Sequence, residues 1–115
     1  MNRTYIPKKL KEALNFLGQD YSMKIIDLEK CGYRNLGDGF DLEISGLSDK
    51  KKKLNCSVYL WKMDRGYIII HHTHNINSLE KLQEVLTDYA TNKRQYLKSF
   101  NRQMQKERGY QAVML

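Results

Sequence analysis

Proline occurs once in this sequence, at Pro7, and cysteine twice, at Cys31 and Cys56. Two thiols are too few for the disulfide framework of a small secreted domain, and no Cys-x-x-Cys pair offers half of a zinc site. Nothing around either cysteine supplies the cations that would activate a thiol, so both read as ordinary buried or half-buried side chains. No apolar run approaches the roughly 18–20 residues of a membrane span. The opening "MNRTYIPKKL" has basic residues but no apolar segment behind them, so no signal peptide is expected. The glycines of "CGYRNLGDG" are not followed by Gly-Lys-Ser/Thr, which excludes a phosphate loop and leaves them as turn residues. Repeats are absent, and "KKKK" at 50–53 is the only biased stretch. These absences predict a cytoplasmic protein in a reduced compartment, without a cofactor, a bound metal or a membrane partner.

What remains is a foldable composition. With 41% hydrophobic and 29% charged residues, the 115-residue chain suits a single α+β domain spanning 1–115 with one modest core. Acidic residues number 13 against 20 basic ones, for a net charge of +7. That balance favours anionic partners, with nucleic acid first and an acidic protein surface second.

Periodicity places the elements. Ile6, Leu10, Ala13, Leu14 and Leu17 share one helical face over about 7–17, with Pro7 suited to the first turn and Gly18 to the C-terminal cap. Residues 21–30 read as a strand, and 31–39 as a loop. "FDLEISG" alternates, with Phe40, Leu42 and Ile44 on a buried side and Asp41, Glu43 and Ser45 on a wet one. In "LNCSVYLW", Leu54, Cys56, Val58 and Leu60 face inward, while Tyr59 and Trp61 face outward. "MDRG" is a hairpin turn leading into "YIIIHHT". A long helix follows, from an Asn77 cap with Glu80 at capping-box spacing to Gly109. The expected architecture is αββββα: an antiparallel four-stranded sheet with both helices on one face and the other face partly open. A continuous helix of this length spans roughly 46 Å, so its distal part, about 95–115, should project or enter a homodimer contact.

The long helix carries two stripes. Leu79, Leu82, Leu86, Tyr89, Leu97, Phe100 and Met104 gather on one side, with Lys93 among them. Arg94, Lys98, Arg102 and Lys106 recur every four residues nearly opposite, preceded on that side by Glu80, Glu84 and Asp88. Acid first and base last complements the helix dipole, and such a gradient ordinarily serves solvation. The charge is also segregated along the chain. Residues 91–115 hold six basic and one acidic residue, 50–53 four lysines, and 1–18 four basic and one acidic. These segments total +12, and the rest of the chain −5. Segregation of this kind is what an electrostatic footprint needs.

Three histidines fall in "HHTH", where alternation sends His72 and His74 to one side of a strand and His71 to the other. Two ligands fall short of the three or four that zinc usually takes. "HHT" is similar to the His-x-Thr element of phosphodiesterases, which use two where this chain has one. His71 or His72 beside Tyr59, Arg65 and Tyr67 would suit general acid–base work on a phosphodiester, as in small basic ribonucleases of toxin type. The plainer reading is a polar strand end. Tyr59 and Trp61 on an open sheet face could stack bases. The helix–sheet–helix order with a lysine run resembles double-stranded-RNA-binding domains. Those, however, have three strands and carry their lysines at the start of the last helix, where this chain has "NSLEKL".

The sequence therefore predicts a small non-catalytic nucleic-acid-binding protein. Its phosphate contacts would be Lys50, Lys51, Lys52, Lys53, Arg94, Lys98, Arg102 and Lys106, with Tyr59 and Trp61 as stacking surfaces. A phage or mobile-element inhibitor of the anti-CRISPR kind, docking on an acidic protein surface, is the second reading. A ribonuclease is the third.

Overall fold

The computed structural model describes residues 5–108. Helix α1 (Lys8–Leu17) is followed by five strands, β1 (Ser22–Ile26), β2 (Glu29–Gly37), β3 (Phe40–Ser45), β4 (Cys56–Met63) and β5 (Tyr67–Ile76), and then by helix α2 (Leu79–Arg108). The strands form one antiparallel meander in sequence order. The class is α+β as expected, but the sheet has five strands where four were predicted. The region read as one strand and a glycine loop is a hairpin, β1–β2. Its turn is Asp27–Leu28, both with positive φ (49° and 69°). Two-residue hairpin turns need this left-handed backbone and normally advertise it with Asn-Gly or Asp-Gly. Here Leu28 occupies it, 97% exposed, so no local signal marked the reversal. The next turn, Asp38–Gly39 (φ 53° and 82°), does carry the usual dipeptide.

Pairing registers define the two sheet faces. Phe40, Leu42 and Ile44 stand opposite Lys62, Leu60 and Val58, all on the side that the helices cover. On β2 the same side holds Lys30, Gly32 and Arg34. Gly32 is required there, because a Cβ would meet Ile44 Cδ1 at 2.9 Å. Helix α1 packs over β1 and β2 through Leu10 and Ala13, and α2 over β3 to β5 through Leu82, Val85, Leu86 and Tyr89. Each such aliphatic side chain, fully removed from water, contributes about 1.5–3 kcal/mol. Lys62 also points inward. Its ammonium crosses the Phe40 ring at 5.1 Å and donates to the Asp38 carbonyl at 2.9 Å, so its alkyl stem is buried while its head is satisfied. On the opposite side, Asp41 and Glu43 are each only 7% exposed. The wet strand face expected there is closed over at these positions.

Helix α2 departs from prediction twice. Its cap is Ser78 rather than Asn77: the Lys81 N–H donates to Ser78 Oγ at 3.1 Å. Residue 81 is a lysine, so no reciprocal capping-box carboxylate exists. The helix is also kinked rather than continuous. Asn92 has non-helical angles (φ −111°, ψ 21°), and its amide donates to Asp88 Oδ1 at 2.7 Å. Asparagine competes with the backbone ladder through such local bonds. Beyond the kink Leu97 is fully buried, and Tyr96 and Phe100 pack half-buried against the core. The bend thus keeps part of the predicted overhang on the body of the protein. The expected stop at Gly109, and residues 110–115, lie outside the described residues.

Candidate nucleic-acid interface

Lys50, Lys51, Lys52 and Lys53 are exposed on the β3–β4 connection. That connection is anchored at several points. Leu47 is fully buried, and the Gly46 N–H donates to Glu29 Oε2 at 2.6 Å. Asp49 accepts from the Lys51 N–H at 3.0 Å and forms an ion pair with Lys9 of α1. The Lys9 ammonium holds the Asp49 carboxyl below the usual carboxylate range. The connection therefore lies against the start of α1. Lys8, Lys50, Lys51 and Lys52 converge with Lys9, Glu12 and Asp49 around a depression of about 510 Å³. Pro7, at the helix N-cap, offers no side-chain acceptor to the first-turn N–H groups, and no acidic residue stands in that turn. Lysines beside an uncapped helix start form an arrangement that anions favour. Lys8 and Lys9 were absent from the predicted contacts. Their charge was visible in residues 1–18, but their meeting with the lysine run was not.

The distal basic residues sit elsewhere. Arg94 Nη2 donates to Asp38 Oδ2 at 2.6 Å, and its guanidinium lies 5.8 Å from the Phe40 ring, so this residue is tied to the β2–β3 turn. Lys98, Arg102 and Lys106 are exposed further along α2. The β2–β3 turn and the β3–β4 connection are at opposite ends of β3. The eight predicted basic residues thus form two separate clusters.

Tyr59 and Trp61 both face the sheet side away from the helices. Trp61 Nε1 donates to Glu43 Oε1 at 2.8 Å. Tyr33 and Tyr67 both hydrogen-bond Asp41, and the Tyr33 hydroxyl is pushed up to about 12 by burial and by that carboxylate. Desolvation likewise holds Glu43 above the ordinary carboxyl value, with the Trp61 and Cys31 hydrogen bonds opposing. Carboxylates so placed oppose a phosphodiester chain near Trp61. Tyr59 stands directly across from Glu43 and shares a hollow with Asp27, Glu29 and Glu43, its ring centroid 6.2 Å from that of His72 and 5.7 Å from that of His74.

The histidines divide between the faces. His71 points to α2, its Nδ1 2.7 Å from the Tyr89 hydroxyl, which is also 2.6 Å from Thr73 Oγ1. Desolvation, helped by His72, lowers His71 below its usual value, while Asp88 acts the other way. His72 and His74 lie on the open face, rings 4.5 Å apart, with His74 Nδ1 2.8 Å from Ser57 Oγ. Arg65 and Tyr67 stand at the β4–β5 turn, about 17 Å of strand away from His72. The constellation considered for phosphodiester chemistry is therefore not brought together. Among the described residues no three His, Cys, Asp or Glu side chains converge in a metal-holding arrangement.

Cys31 and Cys56 are both buried and unpaired, one on each side of the sheet. Burial pushes their thiols up, to about 12 and about 11, so both stay protonated and unreactive. No helix among the described residues is long and apolar enough to cross a membrane. The chain matches no family model, no curated protein and no solved structure.

Proposed function

We propose that this chain is a non-catalytic nucleic-acid-binding protein whose primary phosphate contact is the lysine cluster at the start of α1. The observation that carries this reading is the convergence of Lys8, Lys50, Lys51 and Lys52 on one depression beside an uncapped helix start. Lys53 extends that patch. Lys98, Arg102 and Lys106 form a second contact at the far end, while Tyr59 and Trp61 both lie beside Glu43, whose carboxylate opposes a phosphodiester chain, so neither is assigned a stacking role. Contacts of this kind confer affinity without sequence choice. The half-buried Phe100 and Met104 suit a homodimer through the distal part of α2. Light scattering should then give twice the chain mass, and Phe100→Glu should return a monomer.

Fluorescence anisotropy with a labelled duplex 30-mer tests the reading. Affinity should fall steeply between about 50 and 200 mM salt, because each neutralised phosphate releases condensed cations. Replacing Lys50 to Lys53 by alanine should lower the salt slope by about 0.9 for each phosphate no longer neutralised. Lys98→Glu with Arg102→Glu tests the second cluster independently, since well-separated sites add. No binding by the folded protein at 50 mM salt refutes the proposal, and an unchanged slope in the lysine variant refutes the assigned contact.

A further inference from the structure

The open face of the sheet holds a groove of opposite character to the rest of this basic chain. Two adjoining hollows of about 300 and 270 Å³ share Ile26, Asp27, Glu43 and Trp61. Tyr33, Trp61 and Tyr67 supply aromatic walls, and Asp41 and Glu43 supply carboxylates. Each of these two acids is 7% exposed, yet neither has a basic partner within ion-pair distance among the described residues. Their hydrogen bonds come from neutral donors: Trp61 and Cys31 for Glu43, and Tyr33 and Tyr67 for Asp41. Buried carboxylates are ordinarily paired with a cation, and leaving two unneutralised side by side is costly. The cost falls when a cation enters. One wall already takes one: the chain's own Lys24 places its ammonium 4.3 Å from the Tyr33 ring centre at the rim.

We propose that this groove docks an arginine side chain of a partner polypeptide. A guanidinium is planar, so it stacks on aromatic faces such as Trp61 and Tyr67. Its forked donors also match carboxylates, where a lysine ammonium offers only a compact point charge. It is less strongly hydrated than an ammonium, which suits a nearly dry site. Asp27 and Glu29 at the mouth add negative potential that draws a basic segment in. The groove is separate from the lysine cluster, so the protein would hold a phosphate chain and a basic polypeptide on different surfaces.

Trp61 is the sole tryptophan of the chain and lines the groove, so its fluorescence reads the site directly. The probe is a blocked peptide of alternating glycine and arginine at 150 mM salt, with a glycine–glutamine peptide as control. Calorimetry on the same samples supplies affinities independent of emission. The arginine peptide should produce a saturable change, and Glu43→Gln, which keeps shape and removes charge, should weaken binding about tenfold or more. Asp41→Asn provides a second variant should the first not fold. The change of Lys50 to Lys53 into alanine should leave the peptide response intact, which separates this inference from the nucleic-acid reading. No response at millimolar peptide overturns it, as does equal binding by wild type and both carboxylate variants or an equal response to the glutamine control. An emission change that grows with protein concentration alone and vanishes in Glu43→Gln would make a second copy the occupant and overturn the partner assignment. A change produced by the 30-mer and abolished in the same variant would overturn it in favour of nucleic acid.

Discussion

Replacing Gly32 by alanine probes the strand that sequence periodicity did not reveal. The added Cβ would come within 2.9 Å of Ile44 Cδ1 and 3.2 Å of Ile44 Cβ. Ile44 is fully buried, so its tip has little room to retreat. Overpacking of this kind costs about 1–3 kcal/mol. Against that stands a gain of about 0.4–1 kcal/mol from the reduced freedom of the unfolded chain. The net expectation is a loss of about 1–2 kcal/mol. Ile44→Val alone removes the Cδ1 methyl and should cost about 0.5–1.5 kcal/mol. Combined, the two changes relieve the 2.9 Å contact, and the new methyl fills part of the space vacated. The double variant should therefore be more stable than the sum of the singles predicts, by about 1 kcal/mol. Urea unfolding of all four proteins, with slopes compared to confirm two-state behaviour, gives the coupling. Additivity to within about 0.3 kcal/mol would refute the Gly32–Ile44 register, and with it the β2–β3 pairing.

Leu28→Gly should stabilise the protein by about 0.5–1 kcal/mol, because an almost fully exposed leucine is held at φ 69° where glycine incurs no steric cost; a lower melting temperature would contradict the assigned turn. Glu43 has its folded-state value raised above the ordinary 4.5, so its contribution to stability is greatest below that pH and is lost as pH rises through the folded value. Glu43→Gln should therefore gain on the wild type in urea midpoint from about pH 4 to pH 7, and a pH-independent difference would show that Glu43 is not desolvated. Tyr89→Phe removes the hydroxyl shared by His71 and Thr73 and should cost about 1–2 kcal/mol in denaturant titrations; a neutral effect would mean that water replaces it freely.

Some of this protein is written locally. The alternation of Phe40, Leu42 and Ile44, and of Cys56, Val58 and Leu60, assigns inward and outward sides without reference to anything distant, because strand geometry alone separates odd from even positions. The same holds for the β4–β5 hairpin, the apolar face of α1 and the total charge. Strand β2 is different. Its first helix-facing positions are Lys30, Gly32 and Arg34, and Leu36 alone adds an apolar side chain packed on the core, so its apolar pattern does not mark a core side. The Ile44 side chain of the neighbouring strand fills the space over Gly32, and that closeness selects glycine over a large apolar residue. The kink at Asn92 follows from Leu97 and Phe100 having a core to reach, which no helical wheel contains. The lysine cluster exists because Asp49 and Lys9, forty residues apart, bring the β3–β4 connection to α1. Asp41 and Glu43 occupy the solvent side of their strand by alternation, yet they are nearly dry, since Tyr33, Trp61 and Tyr67 close around them. Alternation assigns a side chain to a face. Whether water reaches it there depends on which distant side chains lie across that face, and that is a property of the assembled sheet alone.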